Sequence, residues 1–238
     1  MSKLYSKMAR IYHEFYQSIF DYKKEFKEYD SILKKHRSKK ILEVACGSGN
    51  LALPFINAGY DYCGLDNSSG MLKLAKQTAP SAHFVKGDMR DIRLKERFDA
   101  ILITGRSFTA MTANKDVLAC LRSVNSHLNK DGILVFNNFD ALSIFSDFRP
   151  DWEQKVRFGN RSYLRVSKST PLLDRGWMWN WKATYHISED GKTKIVKDQM
   201  ILRAFTEDEL KLFLKLTGFK TLKIFREHSA FTFVAKKI

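Results

Sequence analysis

Apolar and polar positions change their period twice along this chain. From about residue 8 to 35 they follow a helix. Tyr12, Phe15, Tyr16, Ile19 and Phe20 fall at i, i+3, i+4, i+7 and i+8, and Phe26, Tyr29, Ile32 and Leu33 extend the stripe. One long or two short amphipathic helices are predicted there. Short apolar runs then alternate with helical stretches. Strands are expected at 40–45, 61–65, 83–86, 99–104 and 133–137, with helices at 51–58, 68–77 and 114–128. Gly59 is placed to end the first of these helices, Ser68 or Ser69 to cap the second and Asn114 the third. Asp131-Gly132 turns the chain into the fifth strand. Strands separated by helices of this length imply a parallel sheet with right-handed crossovers.

The second change comes after the fifth strand. Between 155 and 205 the pattern is strand alternation with no helical stretch. Trp177, Trp179, Trp181, Ala183, Tyr185 and Ile187 are every second residue, so a strand puts them on one face. That face is either the buried side of a sheet or an aromatic roof over a substrate. Residues 188–192 have hairpin-turn composition and 195–202 can return antiparallel. Thr206 and Glu209 form a capping box for a last helix ending at Gly218, and strands at 219–225 and 230–235 close the chain. The expected architecture is an α/β sheet with an antiparallel insertion before its last helix.

Composition narrows the class. The chain has 238 residues, 44% hydrophobic and 28% charged, enough for one compact domain with a full core. No apolar run reaches the roughly 20 residues of a membrane span. The start has basic residues and no apolar signal core, so a cytoplasmic chain without a membrane partner is expected. Cys46, Cys63 and Cys120 lack CxxC spacing, which argues against a disulfide scaffold and a cysteine zinc site; Cys46 and Cys63 read as buried thiols, and no metal site is expected. Against 26 acidic residues stand 41 basic ones, a net charge of +15 that would allow a nucleic-acid partner. The basic residues are spread along the chain, and the densest run, 34–40, sits at a helix-to-strand junction. It reads as a solvated face.

The stretch 41–50 carries the chemistry. A buried strand runs into Gly47-Ser48-Gly49, and a helix starts there. Glycines permit the tight turn and a close ligand approach. Asp66 ends the second strand about 20 residues on, where a carboxylate can take ribose hydroxyls. Gly47, Gly49 and Ala52 also satisfy the G-x-G-x-x-A form of a dinucleotide fingerprint. Two acids argue against it. Glu43, four residues before Gly47, repels a pyrophosphate but holds a cation, and Asp88, after the third strand, suits an adenine amine. The implied ligand combines an adenosine with a positive charge and no phosphate.

In LEVACGSGN at 42–50, GLDNSSGML at 64–72, VKGDMRD at 85–91, FDAILITG at 98–105 and LNKDGILVF at 128–136, the chain resembles the class I S-adenosylmethionine-dependent methyltransferases. The resemblance implies a Rossmann-like mixed seven-stranded sheet with helices on both faces. An N-terminal helical cap would span 1–38. The S-adenosylmethionine-binding domain would take 39–147 and 206–238. An antiparallel β insertion at 148–205 would roof the substrate. It also implies the cofactor, S-adenosyl-L-methionine, and its contacts. Glu43, Ala45 and Gly47 would line the methionine end. Asp66 would hold the ribose, with Asn67 and Met71 against ribose and adenine. Gly87, Asp88 and Met89 would meet the adenine, and Thr104 and Gly105 would lie close to the sulfonium. Met71 and Met89 read equally as core residues, and a helix cap is the lesser reading of Asp66.

The acceptor is less sharply drawn. After the fourth strand stands Thr104-Gly105-Arg106-Ser107-Phe108, where nucleobase amino methyltransferases resemble one another in an Asn/Asp-Pro-Pro-aromatic motif. The insertion resembles the small-molecule branch that includes sugar-amine N-methyltransferases. The expected partner is therefore a small-molecule acceptor, methylated at N or O by in-line displacement. Tyr5 and Tyr12 match aromatic positions that close over the cofactor in that branch. Tyr12 is a candidate cap of the site, and Arg106 or Asn138 a candidate for orienting the acceptor. His13, His186 and His228 are candidate bases or structural residues. An RNA acceptor using the basic surface, or a non-catalytic binding module on the same fold, are the competing readings. A monomer or homodimer is expected.

Overall fold

The computed structural model describes residues 4–238, so the first three residues of the expected 1–38 cap and of the N-terminal stretch lie outside it. The first helical stretch is two helices, α1 (Ala9–Gln17) and α2 (Tyr22–Lys35). They part at 18–21 because Asp21 caps α2, its side chain accepting the Lys24 N–H at 3.0 Å. The chain continues through β1 (Lys40–Val44), α3 (Ala52–Asn57), β2 (Asp61–Asp66), α4 (Ser69–Thr78), β3 (His83–Lys86) and β4 (Phe98–Ile103). It closes the sheet with α5 (Asn114–His127), β5 (Leu128–Phe139), α7 (Glu207–Leu216), β10 (Phe219–Arg226) and β11 (Ala230–Lys237). Strand order is β10-β11-β5-β4-β1-β2-β3. The first five strands are parallel, and β11 runs antiparallel to both β5 and β10. This is the mixed seven-stranded Rossmann-like sheet.

Both faces of the central strands are buried, and the two-residue period decides which side chain goes where. Leu42, Val44, Ile101, Ile103, Leu134 and Phe136 pack under α5 and α7. Their neighbours Ile41, Ala100, Leu102, Ile133 and Val135 pack under α2 and α3. The parity matters at the end of β5, where function is concentrated.

Between β5 and α7 lie α6 (Ala141–Ser146) and the insertion. It is a separate antiparallel sheet of β6 (Asp151–Phe158), β7 (Arg161–Pro171), β8 (Met178–Glu189) and β9 (Lys192–Arg203). Its last hairpin turns on Asp190 and Gly191, both left-handed (φ 49° and 76°), as expected of an Asp-Gly turn. The aromatic stripe is the buried face of this sheet. Ala183, Tyr185 and Ile187 pack with Phe15 of α1, while Trp177 and Trp179 pack with Ala141, Phe145 and Phe148 around α6. The sheet thus rests on α1. Glu14, buried on that helix, accepts from Arg161 at 2.7 Å and from the Tyr163 hydroxyl.

Several local expectations are corrected. β5 starts at Leu128, with the left-handed Asp131 (φ 63°) inside it, because 128 already pairs with Phe98 of β4. Asn114 is the first helical residue of α5, not its cap, and Ala113 before it offers no capping side chain. Thr206 does accept the Glu209 N–H at 3.2 Å, but the Glu209 carboxylate turns to the buried Arg203. α6 and a one-turn helix at Ser107–Ala110 carried no recognised pattern. Cys46, Cys63 and Cys120 are free and buried. Among the described residues no helix is long and apolar enough to cross a membrane.

Candidate active site

The loop after β1 is built on left-handed residues. Ala45, Gly47 and Gly49 have φ of 58°, 55° and 73°. The two glycines serve different purposes. A Cβ on Gly47 would meet nothing within 4 Å, so that position faces open space. A Cβ on Gly49 would come within 3.0–3.2 Å of Phe84 and Ala75, so this glycine is required by protein packing rather than by a ligand. The Gly47 N–H donates to Asp66 Oδ2 at 2.9 Å, and the Ser68 N–H donates to Asp66 Oδ1 at 2.8 Å. Burial pushes the Asp66 carboxyl up, and these donors counter the push. Asp66, only 8% exposed, therefore holds the glycine loop to the end of β2.

At the mouth of this loop lies a cavity of about 720 Å³, within the range of small-molecule sites. Tyr12, Glu43, Ala45, Gly47, Thr104, Gly105 and Arg106 line it, bringing together the residues expected at the methionine and sulfonium end. Glu43 is only 2% exposed. Its Oε2 accepts from the Tyr62 hydroxyl at 2.6 Å and its Oε1 from the Thr104 hydroxyl at 2.8 Å. Burial nevertheless prevails and pushes its carboxyl up to about 7. A buried carboxylate without a cation partner suits a positively charged ligand. The cavity wall and the glycine turn fit the positively charged methionine end of S-adenosylmethionine, whereas Asp66, expected at the ribose, is not among the residues that line the cavity.

The adenine-end residues lie elsewhere. Gly87 and Asp88 line a second cavity of about 250 Å³ together with Leu65 and Val85. The Asp88 carboxylate accepts from Arg90 Nε and Nη2 at 3.0 and 2.6 Å, which holds it below the usual carboxylate range. Met71 is buried beside the start of α4, Met89 packs against the core and Asn67 is exposed. The N-terminal segment crosses this region, where the Ser68 hydroxyl donates to the backbone oxygen of Tyr5. Tyr5 in turn meets Tyr12 edge-on at 5.1 Å. His13 reaches Ser48 of the glycine loop at 2.8 Å, which makes it a tether between α1 and the loop. His186 and His228 do not line the cavity.

Asn138 is corrected. It is fully buried and continues the parity of Leu134 and Phe136, toward the α5 and α7 side. Its neighbour Asn137 has the parity of Ile133 and Val135 and lines the cavity. Asn137 Oδ1 accepts the Arg106 N–H at 2.7 Å, and its Nδ2 donates to the Tyr29 hydroxyl at 3.2 Å. Sequence reasoning also missed the wall made by α2. Tyr22, Glu25 and Tyr29 stand at i, i+3 and i+7 on one edge of that helix and line the cavity. This polar edge beside an apolar face was a readable signal. Burial pushes the Glu25 carboxyl up to about 6, with the Arg106 charge opposing. On a chain of net charge +15, the cavity has five acids (Asp21, Glu25, Glu28, Glu43, Glu227) against Lys24, Lys27 and Arg106.

Comparison with known proteins bears on the domain and the fold. A model of the methyltransferase domain matches residues 41–132. The dTDP-3-amino-3,4,6-trideoxy-alpha-D-glucopyranose N,N-dimethyltransferase of Streptomyces venezuelae is 26% identical over 186 residues, covering 77% of this chain and 76% of the relative. The crystal structure of Streptomyces venezuelae DesVI matches with a TM-score of 0.84 at 24% identity, over 95% of this chain and 97% of that one. CalS10, an amino pentose methyltransferase from Micromonospora echinaspora solved with S-adenosylmethionine bound, matches with a TM-score of 0.80 at 21% identity, over 96% and 97% of the two chains.

Proposed function

We propose that this chain, which carries a methyltransferase domain at residues 41–132 on the class I S-adenosylmethionine-dependent methyltransferase fold, methylates an amine nitrogen of a small molecule, with an amino sugar as the favoured class. When bound, S-adenosylmethionine supplies a methyl group on a positively charged sulfur, open to in-line displacement. The observation that carries the amine reading is that Glu43 and Glu25 line one cavity whose acids outnumber its bases. Glu43 holds the cationic donor end from the β1 side. Glu25 faces it from α2, where it attracts an acceptor ammonium and takes the proton that must leave before the nitrogen has a free lone pair. Tyr12 closes the donor end. Its phenol is held neutral by burial, so it adds no competing charge. Arg106 borders the acceptor side, its guanidinium 5.0 Å from the Phe139 ring centroid. The relative's named substrate class, an amino sugar, is consistent with this wall. An acidic wall disfavours a phosphodiester acceptor, which is why the basic exterior is not read as an RNA site.

The test is S-adenosylhomocysteine release with three probes. These are dTDP-3-amino-3,4,6-trideoxy-α-D-glucopyranose, its analogue with hydroxyl in place of the amine, and total cellular RNA. Turnover with the amine and not with its hydroxyl analogue supports the reading. Turnover confined to the hydroxyl analogue or to RNA overturns it.

A further inference from the structure

The turn after β4 is an energetically unfavourable piece of backbone. Gly105 and Arg106 are consecutive left-handed residues, with φ of 61° and 57°. Glycine adopts this region freely, but in arginine the Cβ crowds the following carbonyl oxygen there. Such a conformation persists only where the surroundings over-determine it. One end is fixed by Thr104, whose hydroxyl donates to Glu43, and the Ser107 N–H closes the turn on the Thr104 carbonyl at 3.1 Å. At the other end the Arg106 N–H points at a side chain, Asn137 Oδ1 on β5. A backbone N–H can only donate, so it orients the Asn137 amide, and the Nδ2 group is left facing Tyr29. The Tyr29 hydroxyl accepts there and reaches on to Glu25 Oε1 at 3.5 Å.

We infer that Asn137 is a positioning residue, which fixes the Gly105–Arg106 turn against the α2 wall and so sets the gap between the donor end and the acceptor end of the cavity. The role rests on the methyl-transfer reading for its catalytic consequence and on the hydrogen bonds alone for its structural one. One amide spans three elements: the β4 turn, β5 and α2. Methyl transfer depends on alignment, and a misplacement of about 1 Å can cost about 100-fold in rate. Glu43, at the donor end, is hydrogen-bonded by Tyr62 and Thr104 and not by Asn137, so loss of Asn137 bears on alignment more than on donor affinity.

Amide hydrogen exchange, S-adenosylhomocysteine affinity and turnover of the amino-sugar probe are measured on full-length Asn137→Leu, Asn137→Asp and Tyr29→Phe. In Asn137→Leu the Arg106 amide is expected to exchange at least about tenfold faster, while Leu102 and Ile103 inside β4 keep their protection. Turnover falls by about 10- to 100-fold, with affinity for S-adenosylhomocysteine within about threefold of wild type. Asn137→Asp retains an oxygen for the Arg106 N–H, so protection and most of the turnover return. Tyr29→Phe frees the α2 side only: the Arg106 amide stays protected and KM for the acceptor rises. Should Asn137→Leu fail to fold, Asn137→Asp and Tyr29→Phe decide the matter. Wild-type exchange at Arg106 in Asn137→Leu, or lost protection with unchanged turnover, overturns the inference. So does loss of protection in Asn137→Asp. If wild type does not turn over the probe, the amine reading fails, and the exchange result still decides whether Asn137 holds the turn.

Discussion

Glu43 and Thr104 meet across two neighbouring parallel strands, hydroxyl to carboxylate at 2.8 Å, with both residues buried. With Tyr62 on the other oxygen, this leaves Glu43 two neutral donors and no cation, and its carboxyl is pushed up to about 7. Binding a positively charged donor favours the ionised form, so binding releases a proton near neutral pH, and affinity falls as pH drops below about 7. The same shift costs stability. An unfolded Glu43 ionises near its ordinary value of 4.5, whereas the folded one keeps its proton toward 7. Its contribution to stability is therefore best below about 4.5 and declines as pH rises to 7, by on the order of 3 kcal/mol at most. Glu43→Gln should weaken S-adenosylmethionine binding by at least about tenfold at pH 8 and raise the melting temperature of the free protein there. Calorimetry in buffers of different ionisation enthalpy reads the proton release, which should vanish in the variant.

Glu25 gives a kinetic signature. Facing it are Arg106 from the β4 turn, Glu28 and Tyr29 from its own helix, Glu43 from β1 and Glu227 from the β10–β11 connection. Only Arg106 and the Tyr29 hydroxyl favour its charge, and burial carries it up to about 6. As the group that takes a proton from the acceptor, it must be ionised, so kcat/KM with an amine acceptor should rise with pH through about 6. Glu25→Gln should lose that limb and slow turnover by about 100-fold. A variant that keeps the wild-type pH profile would remove Glu25 from this role.

Much of this site was legible because strand-end residues are fixed by periodicity. Glu43, Gly47, Asp66 and Thr104 end strands or open the turns after them, and the buried runs before them set their places. Asn137 and Asn138 were not separable in the same way. Both faces of β5 are buried, so the sequence 133–136 is uniformly apolar and parity leaves no trace in it. The aromatic stripe of β8 was legible as one face, but what it meets is a tertiary fact: α1 and α6 cover it. The partner of Asp88 was hidden too. Arg90 stands two residues away, and only the folded loop shows that the pair closes on itself.

The two loop glycines should respond differently to alanine. Gly49→Ala brings a methyl to 3.0–3.2 Å from Phe84 and Ala75 in addition to the left-handed backbone, so it should lower stability by about 2–4 kcal/mol. Gly47→Ala meets no neighbour and pays for the backbone alone, about 1–2 kcal/mol. Its methyl, however, intrudes on the cavity side, so S-adenosylmethionine affinity should fall more than stability does. Urea melts and calorimetry on the pair separate these effects. Equal losses in both assays for both variants would contradict the assignment.

The insertion reaches the site through α1. One side of this helix carries Glu14 and Phe15 against the β6–β9 sheet. Another carries His13 to Ser48 and Gln17 to Asn50 on the glycine loop. Glu14 is buried and bound by Arg10, Arg161 and Tyr163, and these hydrogen bonds outweigh its burial and hold its carboxyl below the ordinary value. A depressed carboxyl contributes stability above its unfolded value of 4.5 that is lost as pH falls through the folded one, so acid should loosen this joint. Glu14→Ala leaves Arg161 and Tyr163 without their acceptor and should cost about 3 kcal/mol. It should also weaken S-adenosylmethionine binding, because α1 then no longer holds Ser48 and Asn50 in place. Tyr163→Phe removes one donor but keeps the Arg161 pair, so it should cost about 1 kcal/mol and leave binding nearly unchanged. Thermal melts and cofactor titrations on the two variants test the linkage. If Glu14→Ala lowers the melting temperature but leaves cofactor affinity intact, the sheet and the glycine loop are independent, and α1 does not couple them.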